Sequence, residues 1–351
     1  MKVTAATLMP LGAPGPAGRA WARAELLMRA LSEFRQLLLA MLFAALAIPA
    51  PAAAVPQRVH TGVYLLNVND IDMKTSIYTA DFYLWFRWQG AIEPTRSFEM
   101  TNVVEKWGMT KDAIYDEPVL LPSGEHYQVF RIQGKFNRKF ELWDYPLDRQ
   151  QIVVRLEETR NETSDLVYVL DERDTGFNPE LKLPGWEISG QIREVSVARY
   201  DSHFGDVRRS SGTESYARLV YGLAVERSRR AYLIRILLPI SVIILSTFLA
   251  FLLMPEYVDA RIGIVITSLL SIIALHLAEG SDLPNVGYLV LMDKVYNLAY
   301  LIILAALVET IFVIRAKDRG QLARARLADR IAAAGLTACY IGGLLVLLWL
   351  R

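Results

Sequence analysis

The 351-residue chain contains one cysteine, Cys339, and only four histidines. A single cysteine excludes a disulfide within the chain and a cysteine-based metal site, and the histidines lack metal-ligand spacing. The chain also lacks an excess of charge, because 38 basic and 37 acidic residues leave a formal net charge of +1. This balance argues against nucleic acid as a partner. The sequence has no glycine-rich phosphate loop either, so we expect no metal, no cofactor and no enzymatic activity.

Hydrophobic residues, in contrast, make up 53% of the chain. That fraction is too high for an ordinary soluble enzyme and predicts a membrane portion. Long apolar segments occur only in the C-terminal third, which we assign as a transmembrane domain over residues 230–351. Four segments there are long enough to cross a bilayer as helices, at about 232–254, 262–278, 287–314 and 331–350.

Residues 1–54 have the features of an upstream segment and a secretory signal peptide. Arg35 precedes the short apolar run Leu37–Ile48, and an Ala- and Pro-rich stretch follows with a cleavage site after Ala54. The alternative is a first transmembrane helix, but the run is short and its far flank is rich in proline. Both Met1 and Met28 remain open as translation starts.

Residues 55–229 read as a β domain. Segments rich in aromatic and branched residues alternate with turn residues and contain no long amphipathic helix. We predict strands at 63–68, 79–88, 128–133, 151–156, 166–170, 186–197 and 216–225. This pattern is typical of an antiparallel sandwich. The predicted fold class is therefore an α+β membrane protein, with an N-terminal β-sandwich outside the membrane and a four-helix transmembrane bundle after it.

The charges that flank the apolar segments predict the orientation. The connection between the last two segments has only Asp318 and Asp329 as acids, against Arg315, Lys317, Arg319, Arg324, Arg326 and Arg330. Such a basic excess marks a cytoplasmic connection. We therefore expect a multi-pass protein of the cell inner membrane, with its N-terminal domain in the periplasm and its helices in contact with lipid.

The second apolar segment carries polar residues along one side. At 3.6 residues per turn, a single stripe contains Asp259, Gly263, Thr267, Leu270, Ala274 and Leu277. Several copies turned inward would line a water-filled path, with a charge at one mouth and a Leu constriction halfway. The alternative is an ordinary bundle helix whose hydroxyls bond to its own carbonyls.

A short motif before the predicted strand at 151–156 reveals a family resemblance. It reads Tyr145-Pro146-Leu147-Asp148-Arg149-Gln150 and resembles the signature-loop core of the Cys-loop receptors, the pentameric ligand-gated ion channels. Matching segments follow the family's order: Thr61-Gly62-Val63-Tyr64, Pro184-Gly185-Trp186-Glu187-Ile188, Glu226-Arg227 with Pro239, and Leu283-Pro284 with Tyr288. Arg138 and Ile152 replace the family's two cysteines, which resembles bacterial members that lack the disulfide.

The resemblance implies which residues couple the β domain to the helices. Asp72, Asp148 and Arg227 are expected to meet where the sandwich rests on the helices, near Pro146 and Pro284. A desolvated guanidinium between two carboxylates depends strongly on geometry, so a small rotation of the sandwich would reach the linker at Pro284. The alternative is a static salt bridge, which contributes little if it is exposed.

Ion selectivity has two interpretations. Ala260-Arg261-Ile262-Gly263 is similar to the start of the pore helix in anion-selective glycine and GABA receptors, which carry Pro where this chain has Asp259. Cation-selective and bacterial members have an acidic residue there. We predict a homopentamer that passes small inorganic cations through a ring of Asp259, with Leu270 as the gate. The alternatives are an anion-selective channel and a membrane-anchored binding receptor that conducts no ions.

The resemblance also implies an agonist site between adjacent β domains, under the loop that joins the last two strands. The candidates are His203, Phe204, Arg208 and Tyr216 on that loop, with Tyr83 and Trp85 facing it from the neighbouring subunit. Aromatic residues suit organic cations, whereas Arg208 and Arg209 suit a carboxylate. Protons are a further candidate agonist, because the domain has acidic residues such as Glu157, Glu158, Asp171 and Asp174. The agonist's identity stays open.

Overall fold

A computed structural model describes residues 27–39, 41, 55–207, 212–281 and 283–349. Residues 1–54 and 55–351 form separate units. Within the first unit, residues 27–39 are helical (α1). The predicted signal cleavage site after Ala54 lies outside the described residues.

The first part of the second unit is built from β-strands. The described strands are β1 (Gln57–Asp72), β2 (Ile77–Trp88), β3 (Phe98–Met100), β4 (Thr110–Ala113), β5 (Val119–Leu120), β6 (His126–Asn137), β7 (Arg149–Glu162), β8 (Leu166–Leu170), β9 (Gly176–Phe177), β10 (Trp186–Tyr200) and β11 (Glu214–Arg227). All seven predicted strands are present. The short strands β3, β4, β5 and β9 were not predicted, because two to four residues are too few to show an alternating pattern.

Two sheets pair the described strands. One has the order β4-β6-β2-β1-β8, with β5 on β6 and β9 on β1, and the other has the order β10-β11-β7-β3. Most pairs are antiparallel, as predicted, whereas β8 and β9 run parallel to β1. Along β2 the side chains at even positions, from Tyr78 to Trp88, are buried and form the core against the other sheet. This packing confirms the predicted sandwich.

The Tyr78 hydroxyl joins the two sheets. It donates a hydrogen bond to the Val153 carbonyl oxygen at 2.6 Å and accepts one from the Val153 amide at 3.0 Å. Val153 belongs to β7 of the other sheet, and its carbonyl oxygen also accepts from Asn102 Nδ2 at 2.8 Å. Burial raises the pKa of Tyr78 to about 12, so the hydroxyl keeps its proton at neutral pH.

Four helices follow the sandwich, namely α2 (Arg229–Leu249), α3 (Val258–Gly280), α4 (Leu291–Asp318) and α5 (Leu322–Trp349). Among the described residues, these are the helices long and apolar enough to cross a membrane. A helix of 23 residues such as α3 is about 35 Å long, more than the roughly 30 Å of a bilayer's hydrocarbon core. The structure therefore confirms the predicted fold class.

The basic residues between the last two apolar segments do not form a long loop. Helix α4 continues to Asp318 and α5 begins at Leu322, so only residues 319–321 connect them. Helix α5 starts nine residues before the predicted Ile331, because the stretch Leu322–Arg330 is rich in the helix formers Ala, Leu and Arg. The charged residues of this stretch lower its hydropathy, so the apolar pattern alone did not include it in the helix.

We predict that Tyr78→Phe lowers the free energy of unfolding by about 1–3 kcal/mol, because it leaves the buried Val153 amide without its partner. Unfolding in detergent, followed by tryptophan fluorescence, measures the change. Tyr115→Phe is the matched control, since Tyr115 is 42% exposed. Equal stability of the two variants would contradict the assigned role of the hydroxyl.

Candidate functional site

The loop between β6 and β7, residues 138–148, carries the Tyr-Pro-Leu-Asp motif and is called the basal loop here. Two turns shape it, in which the Tyr145 amide donates to the Leu142 carbonyl and the Leu147 amide to the Asp144 carbonyl. The Tyr145–Pro146 peptide bond is cis.

The basal loop contacts the first turn of α4. The amide of Leu291 donates to the Trp143 carbonyl at 3.0 Å, and the amide of Met292 donates to the Tyr145 carbonyl at 3.1 Å. The first amides of a helix have no partner within the helix, so an outside acceptor is needed when they are buried. Here the β domain supplies these acceptors, which joins its backbone to the helix bundle.

The linker between α3 and α4 is held by the same loop. The Tyr288 hydroxyl accepts from the Leu142 amide at 3.1 Å, and its ring stacks on Trp143 with 3.7 Å between centroids. Lys74, in the turn after β1, reaches the Ser281 carbonyl at 3.5 Å. Pro284 lies half-buried within this linker. The β domain therefore contacts the linker that follows α3 at several points.

Arg227 and Asp148 form a buried ion pair beside this contact. Arg227 Nε lies 2.7 Å from Asp148 Oδ1, and both side chains are almost completely buried. The guanidinium also lies over the Trp186 ring at 4.2 Å and the Tyr145 ring at 4.9 Å. Gln150 Nε2 donates to the other Asp148 oxygen at 2.6 Å. The pair is thus held on several sides and depends strongly on geometry.

Asp72 does not join this ion pair. Its carboxylate accepts from the amides of Lys74 and Thr75 and from the Thr75 hydroxyl, within its own turn. The Thr75 hydroxyl lowers the pKa of the Asp72 carboxyl below its ordinary value. Asp72 and Arg227 line the same cavity of about 460 Å³ between the sandwich and the helices. The structure therefore corrects the predicted three-residue cluster to a pair with Asp72 at its edge.

The predicted stripe on α3 faces away from the other helices of the chain. The buried residues of α3 are Arg261, Val265, Ser268 and Ile272, which form the face toward the bundle. All six stripe residues are exposed on the opposite face, namely Asp259, Gly263, Thr267, Leu270, Ala274 and Leu277. Leu270 is 63% and Leu277 72% exposed. Within the described part of the chain, this face has no covering element.

Two ionisable residues of α3 point into the bundle instead. Arg261 is fully buried and pairs with Asp329 of α5. His276 contacts α4, where its Nδ1 lies 2.9 Å from the Tyr300 hydroxyl and its Nε2 lies 3.1 Å from Asp293 Oδ1. The exposed face of α3 therefore carries the carboxylate of Asp259 but not these two side chains.

The hairpin of β10 and β11 gathers the predicted ligand-binding residues. Phe204 is exposed, and its ring meets Tyr200 edge-on at 5.4 Å. The Tyr216 hydroxyl donates to Glu214 Oε2 at 2.6 Å, and His203 Nδ1 lies 3.3 Å from Glu214 Oε1. These side chains form one cluster near the tip of the hairpin. Arg208 and Arg209 lie outside the described residues.

Tyr200 was not predicted as a site residue, although it belongs to this cluster. Its hydroxyl donates to Glu157 Oε1 at 2.6 Å, and Arg218 Nε donates to Glu157 Oε2 at 2.9 Å. Burial, and then the contact with Glu157, raise the pKa of Tyr200. Its position at the end of β10, three residues before the turn that begins at His203, was the available signal.

Two predicted residues lie on the other sheet. Tyr83 is half-buried on β2, whereas Trp85 is only 8% exposed and its Nε1 donates to Asp171 Oδ2 at 3.1 Å. Gly62 makes room for this indole, since a Cβ there would lie 2.3 Å from the ring. Trp85 is therefore packed inside its own chain, which corrects its prediction as an open wall of a site.

Most of the acidic residues named as candidate proton sensors already form ion pairs or hydrogen bonds within the chain. Asp171 also pairs with Arg87 at 2.9 Å. Glu158 is fully buried and accepts from the Ser97 hydroxyl, from two backbone amides and from Asn161 Nδ2.

Among the described residues, no group of His, Cys, Asp and Glu side chains could hold a metal ion.

Three similarities to known proteins bear on this arrangement. A "Proton-gated ion channel" of Gloeobacter violaceus is 23% identical over 292 residues, which cover 79% of this chain and 78% of that protein. A "Gamma-aminobutyric acid receptor subunit beta" of Lymnaea stagnalis is 26% identical over 53% of this chain and 37% of its own length. A "pH-sensitive chloride channel 2" of Drosophila melanogaster is 24% identical over 55% and 37%, respectively. No protein-family model matches the chain.

We predict that Arg227→Gln lowers the free energy of unfolding by about 3–5 kcal/mol, because it leaves the buried Asp148 carboxylate without its charge partner. Arg149→Gln is the matched control. Arg149 also pairs with a glutamate, Glu226, at 3.0 Å, but its side chain is 68% exposed, so a loss below about 1 kcal/mol is expected. Thermal unfolding of the two purified variants measures the difference. Similar losses in both would contradict the buried character of the first pair.

Proposed function

We propose that this chain, a homologue of the pentameric ligand-gated ion channels of the Cys-loop superfamily, is one subunit of a homopentameric, cation-selective channel. The observation that carries the proposal is the exposed polar stripe of α3. A carboxylate and a hydroxyl facing lipid would be unfavourable. Five stripes around one axis would instead face water and line a conducting path. The same stripe argues against a binding receptor that conducts no ions.

The charges at the inner end of α3 support the proposed cation selectivity. Asp259 is exposed on the stripe, so five copies would form a ring that concentrates cations and repels anions. Two observations favour the alternative of an anion channel. Arg261 lies in a motif similar to that of anion-selective receptors, and two of the relatives above are named as a GABA receptor subunit and a chloride channel. The burial of Arg261 against Asp329 supports the cation reading, because this guanidinium is turned away from the stripe.

We assign gating to helix α3, the α3–α4 linker and the basal loop, which are connected in that order. Leu270 lies halfway along the stripe, where a ring of five apolar side chains would close the path by dewetting. The α3–α4 linker around Pro284 continues this helix, and the basal loop holds the linker through Tyr288. The Arg227–Asp148 pair then ties the basal loop to the end of β11. A rotation of the sandwich would reach Leu270 through these contacts.

The agonist site is assigned to the cluster at the tip of the β10–β11 hairpin, at the boundary with a neighbouring subunit. Aromatic side chains and carboxylates lie together there, namely Tyr200, Phe204 and Tyr216 with Glu157 and Glu214. This combination suits a small organic cation, because a ring face and a carboxylate both attract positive charge. Protons are the second candidate, since the same carboxylates accept hydrogen bonds that protonation would change.

The distribution of charge supports a place in the inner membrane with the β domain in the periplasm. Helices α2 to α5 cross back and forth, so the α4–α5 turn lies at the end of the bundle away from the sandwich. Arg315, Lys317 and Arg319 flank that turn on one side, and Arg324 and Arg326 on the other. Such an excess is typical of the cytoplasmic side.

We predict that Asp259→Ala weakens cation preference without abolishing current. Purified protein in planar bilayers is recorded under voltage clamp across a panel of small amines, carboxylates and pH values, and the reversal potential in a NaCl gradient gives the selectivity. Asp318→Asn is the control, because it removes an exposed carboxylate from the same end of the bundle. Absence of current under every condition would count against a channel. A wild-type reversal at the chloride potential would contradict cation selectivity.

We also predict that Leu270→Ser raises the current in the absence of agonist, because a hydroxyl ring keeps the constriction wet. The open probability at rest is the measured quantity. Leu301→Ser serves as the control, since Leu301 is similarly exposed, at 65%, but lies on α4. An unaltered resting current in Leu270→Ser would remove this residue as the gate.

A further inference from the structure

A buried charge cluster lies at the inner end of the bundle, behind the proposed pore surface. Arg261 is near the start of α3, Asp329 is in the second turn of α5, and the two form an ion pair that is almost fully buried. Glu309 of α4 lies within electrostatic range of both. Three helices thus each contribute one ionisable group to this cluster.

The cluster contains more hydrogen-bonding groups than the Arg261–Asp329 ion pair uses. The Nε and Nη1 groups of Arg261 and both carboxylate oxygens of Glu309 are buried and have no hydrogen-bond partner among the described residues. Unpaired buried ionic groups are costly. Glu309 is therefore a second carboxylate that can accept from Arg261 if the contact with Asp329 is lost.

Arg261 is close in sequence to Asp259 but far around the helix. Two residues correspond to about 3 Å along the axis and roughly 200° around it. Asp259 is therefore exposed on the stripe while Arg261 points between the other helices. Five guanidiniums are thus located just behind the five carboxylates of the proposed selectivity ring, and only their direction keeps the two sets apart.

We propose that Asp329 is a positioning residue for ion selectivity: it holds the Arg261 guanidinium inside the bundle and so leaves Asp259 as the charge that permeating ions meet. This inference rests on the proposed function as a cation channel. Asp329 itself lies on α5, away from the stripe of α3. It acts through Arg261, and Glu309 is the reserve partner in the same cluster.

Loss of both carboxylates would leave a charged guanidinium in an apolar interior. A long arginine side chain then turns its head toward water. The nearest water is at the inner end of the bundle, and a guanidinium there lies within about one Debye length, roughly 8 Å, of the Asp259 ring. Its positive charge would oppose the ring and admit chloride.

The test is the reversal potential in a NaCl gradient for the full-length protein in planar bilayers. We expect Asp329→Asn to lower the ratio of cation to chloride permeability, and Glu309→Gln/Asp329→Asn to lower it further, by about tenfold or more. Arg261→Gln added to that double variant should restore the wild-type value, because no guanidinium remains. Asp318→Asn removes the same charge as Asp329→Asn, but Asp318 is exposed. The reversal potential of this variant should therefore equal that of the wild type.

A purely structural role of Asp329 would reduce the number of channels but not shift the reversal potential, which is independent of channel number. An unshifted Glu309→Gln/Asp329→Asn variant overturns the inference. If that variant does not assemble alone, it can be co-assembled with wild-type chains and recorded as single channels. An unshifted reversal potential in those channels overturns the inference equally. A wild-type current that follows chloride contradicts the proposed selectivity instead, so the two failures are distinguishable.

Discussion

The contact between the basal loop and the start of α4 is the interaction on which the rest of the molecule depends. Leu291 and Met292 would have buried, unpaired amides without the carbonyls of Trp143 and Tyr145. The helix bundle therefore completes its hydrogen bonds only when the sandwich is docked on it. The buried Arg227–Asp148 pair adds a directional contact at the same place. Because these contacts are directional, the sandwich and the start of α4 are joined by specific contacts and not by the chain connection alone.

A second constraint is the separation of opposite charges around α3. Asp259 and Arg261 are two residues apart, yet one is exposed on the stripe and the other is buried against Asp329. A helix with both groups on one face would present a nearly neutral mouth. The partner of Arg261 comes from α5, so the last helix of the chain helps to determine which charges α3 exposes. In the proposed channel, ion selectivity would therefore depend on the packing of the whole bundle.

Much of the fold could be predicted from local patterns. The predicted strand segments are five residues or longer and the apolar segments are longer still, so both are long enough for a periodic pattern to be recognised. The stripe on α3 was also predictable, because its residues repeat at helical spacing and Asp259 stands out at its end. Short strands were missed because two to four residues carry no such pattern, and the first nine residues of α5 were missed because their charges lower the hydropathy.

The sequence by itself determined which of the longer elements form, which face of α3 is polar, and the charge balance at each end of the bundle, because these properties depend on neighbours along the chain. Only the tertiary structure decided which distant groups meet. Asp72 binds its own turn, Trp85 is packed beneath Asp171, and Arg261 finds Asp329 across 68 residues. Pairing of charges in a low-dielectric interior depends on distance and direction in space, which spacing along the chain does not encode.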